Sequence, residues 1–366
     1  MAPPTRLTLD LALQGGGCKG IALNAALAEV MRRGHRIRRL VGTSAGAIAA
    51  SLAAVGYTGD ELVAMSQTPR EDGKLEFAEY LTEPLVPASP DVEPELTELH
   101  VAALKLPGDL GKRLVSAAAM LRFLDTGGIS SGEGFMSWYL RKLEAKRPGL
   151  SRITLGALHR ETGRDLTLIT TDTTAKRLRA LNHRTAPDVP LAAAVRMSMS
   201  IPLLFAEVPW RSHWGPYLGT SLAGHVMVDG GLSSNLPVAF ILPNANALVR
   251  RMMGEAPAEP GLPVGIGIDT TLEVPGAPAA DDESFGARIL HSRLGRRVQT
   301  LVDTMLLGSD LTVADAAPVP PCLLPARGYG AAEFDMSVAR AEALLEAARA
   351  ATASYLDDLE ARAGGA

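Results

Sequence analysis

Two residues stand out as able to do chemistry: Ser44, set between Gly42 and Gly46, and Asp229, followed by Gly230 and Gly231. The spacing G-x-S-x-G puts a serine on a sharp strand-to-helix turn, where the glycines let neighbouring backbone pass without a Cβ in the way. A serine nucleophile needs a base for its proton and donors for the oxyanion that forms on its substrate. Asp229 ends the apolar stretch Val226–Val228. An apolar surround raises a carboxyl pKa and makes it a better base than a solvated one. None of the seven histidines sits in a motif that commits it to catalysis. The order serine, Asp229, His291 leaves a histidine-relayed triad open, although such an elbow normally follows several strands and this one follows two.

Donors are offered by Gly15-Gly16-Gly17-Cys18-Lys19-Gly20. Gly15-x-Gly17-x-x-Gly20 fits the dinucleotide fingerprint, which also requires an acid at the end of the second strand to hold the ribose. That place is held by Leu40-Val41-Gly42-Thr43, and no acid follows before Asp60. The Gly-Lys-Ser/Thr order of a phosphate-binding P-loop is also missing. What remains is a helix start whose backbone N–H groups can hold a phosphate or an oxyanion.

These residues need a frame. Leu7 to Leu13 reads as a buried strand, Ile21 to Arg33 as a helix stopped by Gly34, and Ile37 to Val41 as a second strand. An Ala-rich helix follows the serine and ends near Gly56. Strand, glycine loop, helix, strand, turn and helix in that order predict a parallel sheet covered by helices, with both motifs at its carboxyl edge. Further helices are expected near Phe135–Lys146, Leu191–Met199, Phe285–Leu307 and Ser337–Glu360. Further strands are expected near Asp165–Thr170, Arg177–Leu181, Val226–Val228 and Val264–Ile268. The proline-punctuated stretch 66–126 reads equally as a lid or cap inserted into one domain spanning 1–366 or as a long surface excursion of that domain.

Composition narrows the classes. The chain has 366 residues, 47% of them hydrophobic, so it can bury a large core. With Lys plus Arg at 36 against Asp plus Glu at 40, it lacks the basic excess of a nucleic-acid binder. Two cysteines, Cys18 and Cys322, exclude a disulfide scaffold and a four-thiolate zinc site. The 20 residues from Leu40 to Gly59 carry no charge, long enough to span a bilayer. Four glycines and several hydroxyl residues make that run too weakly hydrophobic for a span. Asp10 interrupts the only early apolar stretch, so no secretory signal is visible and a cytoplasmic location is expected.

Four blocks in order resemble the patatin-like phospholipase family: Leu13–Gly20, Val41–Ala47, Ala193–Pro202 and Val228–Val238. The resemblance implies a three-layer α/β/α fold with a mostly parallel central sheet and helices on both faces. It implies a lipid acyl hydrolase with a Ser44–Asp229 dyad, an acyl-serine intermediate, and no cofactor or metal. Gly15, Gly16 and Gly17 would supply the oxyanion hole, supported by Lys19, Gly42, Gly46, Gly230 and Gly231. The partners implied are a phospholipid or other acyl ester and a membrane surface touched peripherally, with an activating partner or small-molecule signal left open. An acyltransferase using the same dyad and a non-enzymatic lipid-binding scaffold are the alternative readings. The family pattern gives no block for 66–126, and the stretch between Pro209 and Val226, with Trp210, Trp214 and Tyr217, is longer than usual. Those aromatics read as ordinary packing or as a wall of the acyl pocket.

Overall fold

The chain alternates strands and helices from its first described residue. The computed structural model describes residues 6–71, 75–81, 127–243, 245–255, 259–279, 300, 317–331, 333–334 and 336–364. Strand β1 (Thr8–Leu13) leads through the glycine loop into helix α1 (Ile21–Arg32), then β2 (Arg36–Thr43), α2 (Ala45–Ala54) and α3 (Gly59–Gln67). Next come β3 (Gly128–Ser130), α4 (Glu133–Lys146), α5 (Leu155–Thr162), β4 (Asp165–Asp172), β5 (Arg177–Leu181) and α6 (Leu191–Ser198). They are followed by β6 (Leu203–Phe205), β7 (Val208–Pro209), β8 (Val226–Asp229), α7 (Ala247–Met253), β9 (Leu262–Asp269), β10 (Cys322–Pro325) and α8 (Val338–Gly364). The expected helix near Phe285–Leu307 lies outside the described residues, except for Thr300.

The main sheet has the order β10-β9-β1-β2-β4-β8-β7, with β5 also paired to β4. From β10 to β4 every pairing is parallel. Strands β5, β8 and β7 run antiparallel to their neighbours. Alternation along β1 divides the core. Leu9, Leu11 and Leu13 enter a large apolar cluster with α1, α2, α4, α6 and α8. Ala12, Val41 and Ile169 enter a second, smaller one with Val238, Phe240 and residues of α7. A sheet buried on both faces is what parallel strands require.

Local chemistry fixes the elements. Asp10, inside β1, is buried, and its two oxygens accept from Nε and Nη2 of Arg38. Helix α3 opens on a capping box, with Glu61 N–H on Thr58 Oγ1 at 3.3 Å and Thr58 N–H on Glu61 Oε2 at 2.7 Å. Helix α2 is buried on nearly all sides, which explains the uncharged run: Leu40 to Gly59 is a strand end, a turn and a core helix. Among the described residues no helix is long and apolar enough to cross a membrane.

One detail of register matters most. Leu168 and Ile169 of β4 pair with Gly42 and Thr43 of β2 on one side, and with Leu181 and Ala180 of β5 on the other. Thr170 to Asp172 pair with β5 again and with β8, Thr170 opposite Asp229. Strand β8 therefore occupies the side of β4 that β2 vacates. The two strands meet end to end, Thr43 beside Ile169 and Asp229 beside Thr170.

Candidate active site

That meeting point brings Ser44 and Asp229 together although 184 positions separate them in the chain. Ser44 caps α2 with φ 52° and ψ −120°, a left-handed conformation that is costly for a residue with a Cβ. The turn is forced by close approach. A Cβ on Gly42 would lie 2.3 Å from the Gly46 carbonyl oxygen, and one on Gly46 would lie 2.3 Å from that of Leu13. Ser198 holds the strained turn in place. Its Oγ accepts from the Ser44 N–H at 3.0 Å and donates to the Ile169 carbonyl at 2.5 Å. The Thr43 hydroxyl donates to the Ser234 carbonyl at 2.9 Å, tying the elbow to the segment after Asp229.

Asp229 is buried and has few partners. Its N–H donates to the Ser200 carbonyl at 2.8 Å, and its Oδ1 accepts from the Gly231 N–H at 2.7 Å. Its Oδ2 is buried and makes no full hydrogen bond among the described residues. Burial pushes the carboxyl up to about 7, against the opposing pull of the nearby Ser44 hydroxyl and the Gly231 N–H. A base with such a pKa both ionises and accepts protons near neutrality. Gly230 has to be a glycine here, since a Cβ would lie 2.2 Å from the Ile169 carbonyl oxygen.

The glycine loop divides its donors. The Gly15 N–H is occupied by the Asn235 carbonyl at 3.0 Å, and the Cys18 N–H by the Ala331 carbonyl at 2.8 Å. The N–H groups of Gly16 and Gly17 have no partner among the described residues. Of the three expected glycines, Gly15 thus serves as an anchor that packs within 3.0 Å of the Ser44 Cβ, measured from its own ideal Cβ position. Gln14 fastens the loop further, its Oε1 accepting from the Ile268 N–H at 2.6 Å. Lys19 is buried and does not face solvent.

An apolar pocket starts at Ser44 and Gly17 and runs between α1 and α2. It encloses about 700 Å³ of empty space, part of it open to solvent. Its walls include Ile48 and Leu52 of α2, Trp138 of α4, Phe205 of β6, and Phe334. The described parts of 66–126 add Ser66, Phe77 and Tyr80; residues 72–74 and 82–126, where most of the expected lid falls, lie outside the described residues. Trp210, Trp214 and Tyr217 do not line the pocket. They are buried in edge-to-face contact with one another, at centroid distances of 6.0 and 6.5 Å around Trp210. Among the described residues no histidine lines the pocket, and His225 bonds to Asp172 instead, Nδ1 to Oδ2 at 3.0 Å. His291 lies outside the described residues.

Residues 11–242 match the family model of the patatin-like phospholipases. The chain belongs to that family. A relative by sequence is the uncharacterized protein YqhO of Bacillus subtilis (strain 168), 32% identical over 236 residues that make up 63% of this chain and 65%, just under two thirds, of that protein. Among solved structures, VipD from Legionella pneumophila is similar with 16% identity and a TM-score of 0.47, over 97% of this chain and 67% of VipD. The type III effector protein ExoU is similar with 16% identity and a TM-score of 0.42, over 98% of this chain and 54% of ExoU.

The patatin-like match stops at residue 242, but the site does not. Ala331 supplies the carbonyl that holds Cys18, a Cβ on Gly17 would lie 2.0 Å from it, and Phe334 closes the pocket. No sequence signal marks Ala331, because its contribution is a backbone oxygen. Arg196, in the serine-rich block, acts as a brace. It donates to the carbonyls of Ser131 and Ala206 at 2.7 and 2.9 Å and to the Ser200 hydroxyl.

Proposed function

We propose that the chain is a lipid acyl hydrolase in which Ser44 attacks an ester carbonyl and Asp229 is the base. The observation that carries this reading is the end-to-end meeting of β2 and β8, which sets a strained serine beside a buried carboxyl with an unused oxygen. As Ser44 Oγ bonds to the carbonyl carbon, its proton passes to Asp229 Oδ2. The negative charge that develops on the carbonyl oxygen is held by the N–H groups of Gly16 and Gly17, aided by the positive end of α2. The proton then goes to the leaving alcohol as the ester C–O bond breaks, leaving an acyl-serine. Water, deprotonated by Asp229, releases the acid. The acyl chain lies in the apolar pocket, so the substrate is an ester with a hydrocarbon tail, drawn from a lipid surface. One catalytic domain formed by the whole chain fits the way residues beyond 242 complete the site.

The test is hydrolysis of phospholipid vesicles and short-chain esters, with labelling by a fluorophosphonate probe. Labelling and fatty-acid release are expected in the wild type, with chelator present, and neither in Ser44→Ala. Release by Ser44→Ala at the wild-type rate would refute the assignment, and acyl transfer to an added alcohol in preference to water would make the enzyme a transferase.

A further inference from the structure

The glycine loop is held in place from beyond residue 242. The Cys18 N–H donates to the Ala331 carbonyl at 2.8 Å, and a Cβ on Gly17 would lie 2.0 Å from that oxygen. Where the Ala331 carbonyl stands therefore decides where the neighbouring Gly16 and Gly17 N–H groups point.

Ala331 does not hold itself. It follows a turn, 328–330, with a glycine at each end and Gly328 at φ 83°, backbone that is soft on its own. Arg340, in the first turn of α8, fixes that turn. Its Nε donates to Glu333 Oε1 at 2.6 Å, and its Nη2 to Glu333 Oε2 at 3.1 Å and to the Gly328 carbonyl at 2.8 Å. Its Nη1 donates to the Pro278 carbonyl. Glu333 Oε2 also accepts from the Gly330 N–H at 3.1 Å, so Ala331 is bracketed on both sides. The guanidinium carbon lies 4.1 Å from the centre of the Tyr329 ring, and the Tyr329 hydroxyl donates to the Arg340 carbonyl at 2.9 Å. The Arg340 side chain is only 4% exposed. A guanidinium is buried at such depth only when its N–H groups are paired, and its planar fork then fixes what it pairs with. Helix α8 is docked in turn on α1. Arg33, which ends α1, donates to Asp357 Oδ1 at 2.6 Å and to the Ala353 carbonyl at 2.9 Å. Since α1 starts at the glycine loop, α8 runs alongside it and closes the frame through Arg340.

We propose that Arg340 is a positioning residue for the oxyanion hole: through Glu333 and the 328–331 turn it sets the Ala331 carbonyl, and with it the aim of the Gly16 and Gly17 N–H groups. The proposal rests on the reading of the glycine loop as the oxyanion hole. Arg340 touches neither substrate nor Ser44, so it acts on the rate of the chemical step and not on the base.

The test compares 4-nitrophenyl butyrate with its thiono analogue, in which sulfur replaces the carbonyl oxygen. The short chain leaves little for Phe334, a wall of the pocket, to hold. Sulfur accepts hydrogen bonds weakly and sits on a longer bond, so donors set for oxygen serve it poorly. Full-length wild type is expected to favour the oxo ester more than hydroxide does in water. Arg340→Ala should lose about 10²-fold in kcat on the oxo ester, with the oxo-to-thiono ratio falling towards that of hydroxide. The pH midpoint set by Asp229, about 7, should stay where it is. Arg340→Lys, which keeps the charge without the fork, should fall between the two. Denaturant unfolding establishes that each variant is folded, and Glu333→Gln, which leaves the bonds of Arg340 to the Gly328 and Pro278 carbonyls, carries the test if Arg340→Ala is not. Wild-type kcat and ratio in the folded variant would overturn the proposal. So would an equal loss on both esters or a moved midpoint, which general loosening of the site would give. Those results leave the hydrolase reading standing. A wild type with the ratio of hydroxide would instead take the oxyanion role from the glycine loop, and the proposal with it, while Ser44→Ala would still report on the nucleophile.

Discussion

Asp172 and Asp229 lie two rungs apart across the β4–β8 ladder, and both are shut away from water, at 0% and 2% exposure. Burial pushes both carboxyls up. For Asp172 that push is overcome by the Ala175 N–H at 2.9 Å, by Arg179, whose Nε and Nη2 lie 3.0 and 2.7 Å from Oδ2, and by His225, so its carboxyl is held below the usual range. Asp229 has the Gly231 N–H on one oxygen and only the nearby Ser44 hydroxyl for the other, and it stays at about 7. The same residue type at the same depth is a structural anchor at Asp172 and the proposed base at Asp229, according to the partners each is given. On that reading, a base is made by withholding them.

The largest effect should come from removing the carboxyl from which partners are withheld. Asp229→Asn, like Ser44→Ala, is expected to reduce kcat for ester hydrolysis by about 10³-fold or more, the scale on which nucleophile and base act as a unit. Single-turnover assays on folded protein check it, and a loss below tenfold would disqualify Asp229 as the base. Asp172→Ala should retain the chemistry and lose stability instead. It strips Arg179 of a buried partner, a change that costs about 3–5 kcal/mol. Denaturant unfolding at pH 7 measures it. The contribution of Asp172 is present above its ordinary pKa of 3.8 and is lost as the pH falls below it, because a depressed folded pKa favours the folded state only while the group is ionised outside it.

The same unfolding experiment on Asp229→Asn should give the opposite sign. A folded pKa raised from 3.8 to about 7 adds no cost below pH 4, a growing cost from 4 to 7, and the full cost above 7. Asn abolishes that cost, so the variant is expected to be more stable than the wild type at pH 8, by an amount on the order of 1–4 kcal/mol, and no more stable at pH 4. A variant less stable at pH 8 would show that the carboxylate is held by partners as Asp172 is.

Much of this was legible in the residues because it depends on local pattern. Gly42 and Gly46 mark an elbow, and apolar Val226–Val228 before Asp229 marks a strand that ends on a buried acid. The frame around them follows from periodicity: α1, expected over Ile21 to Arg33, ends one residue earlier at Arg32, and β5 covers the expected Arg177–Leu181. What could not be read depends on distant backbone. That Gly15 is an anchor follows from a carbonyl 220 positions away, at Asn235, and that Cys18 is taken follows from one at Ala331. The antiparallel insertion of β8 beside β4 is likewise a matter of which strand takes a vacated edge.

The smallest expected effect is the sharpest test of the contrast between the two carboxylates. With Asp229 as base, kcat/KM should fall tenfold for each pH unit below about 7 and reach a plateau above it. The influences on Asp229 are burial, Ser44 and Gly231, and neither Asp172 nor Arg179 is among them. The ion pair of Arg179 with Asp172, at 2.7 Å, closes that charge on itself. Asp172→Asn, which keeps the shape and removes the charge, is therefore expected to leave the midpoint within about half a pH unit of wild type, a coupling under roughly 0.7 kcal/mol. A larger shift to lower pH would mean that the Arg179 charge, once released, reaches Asp229. The two carboxylates would then be one coupled system, and the pKa of the base would be set by its neighbour's partners as well as by its own lack of them.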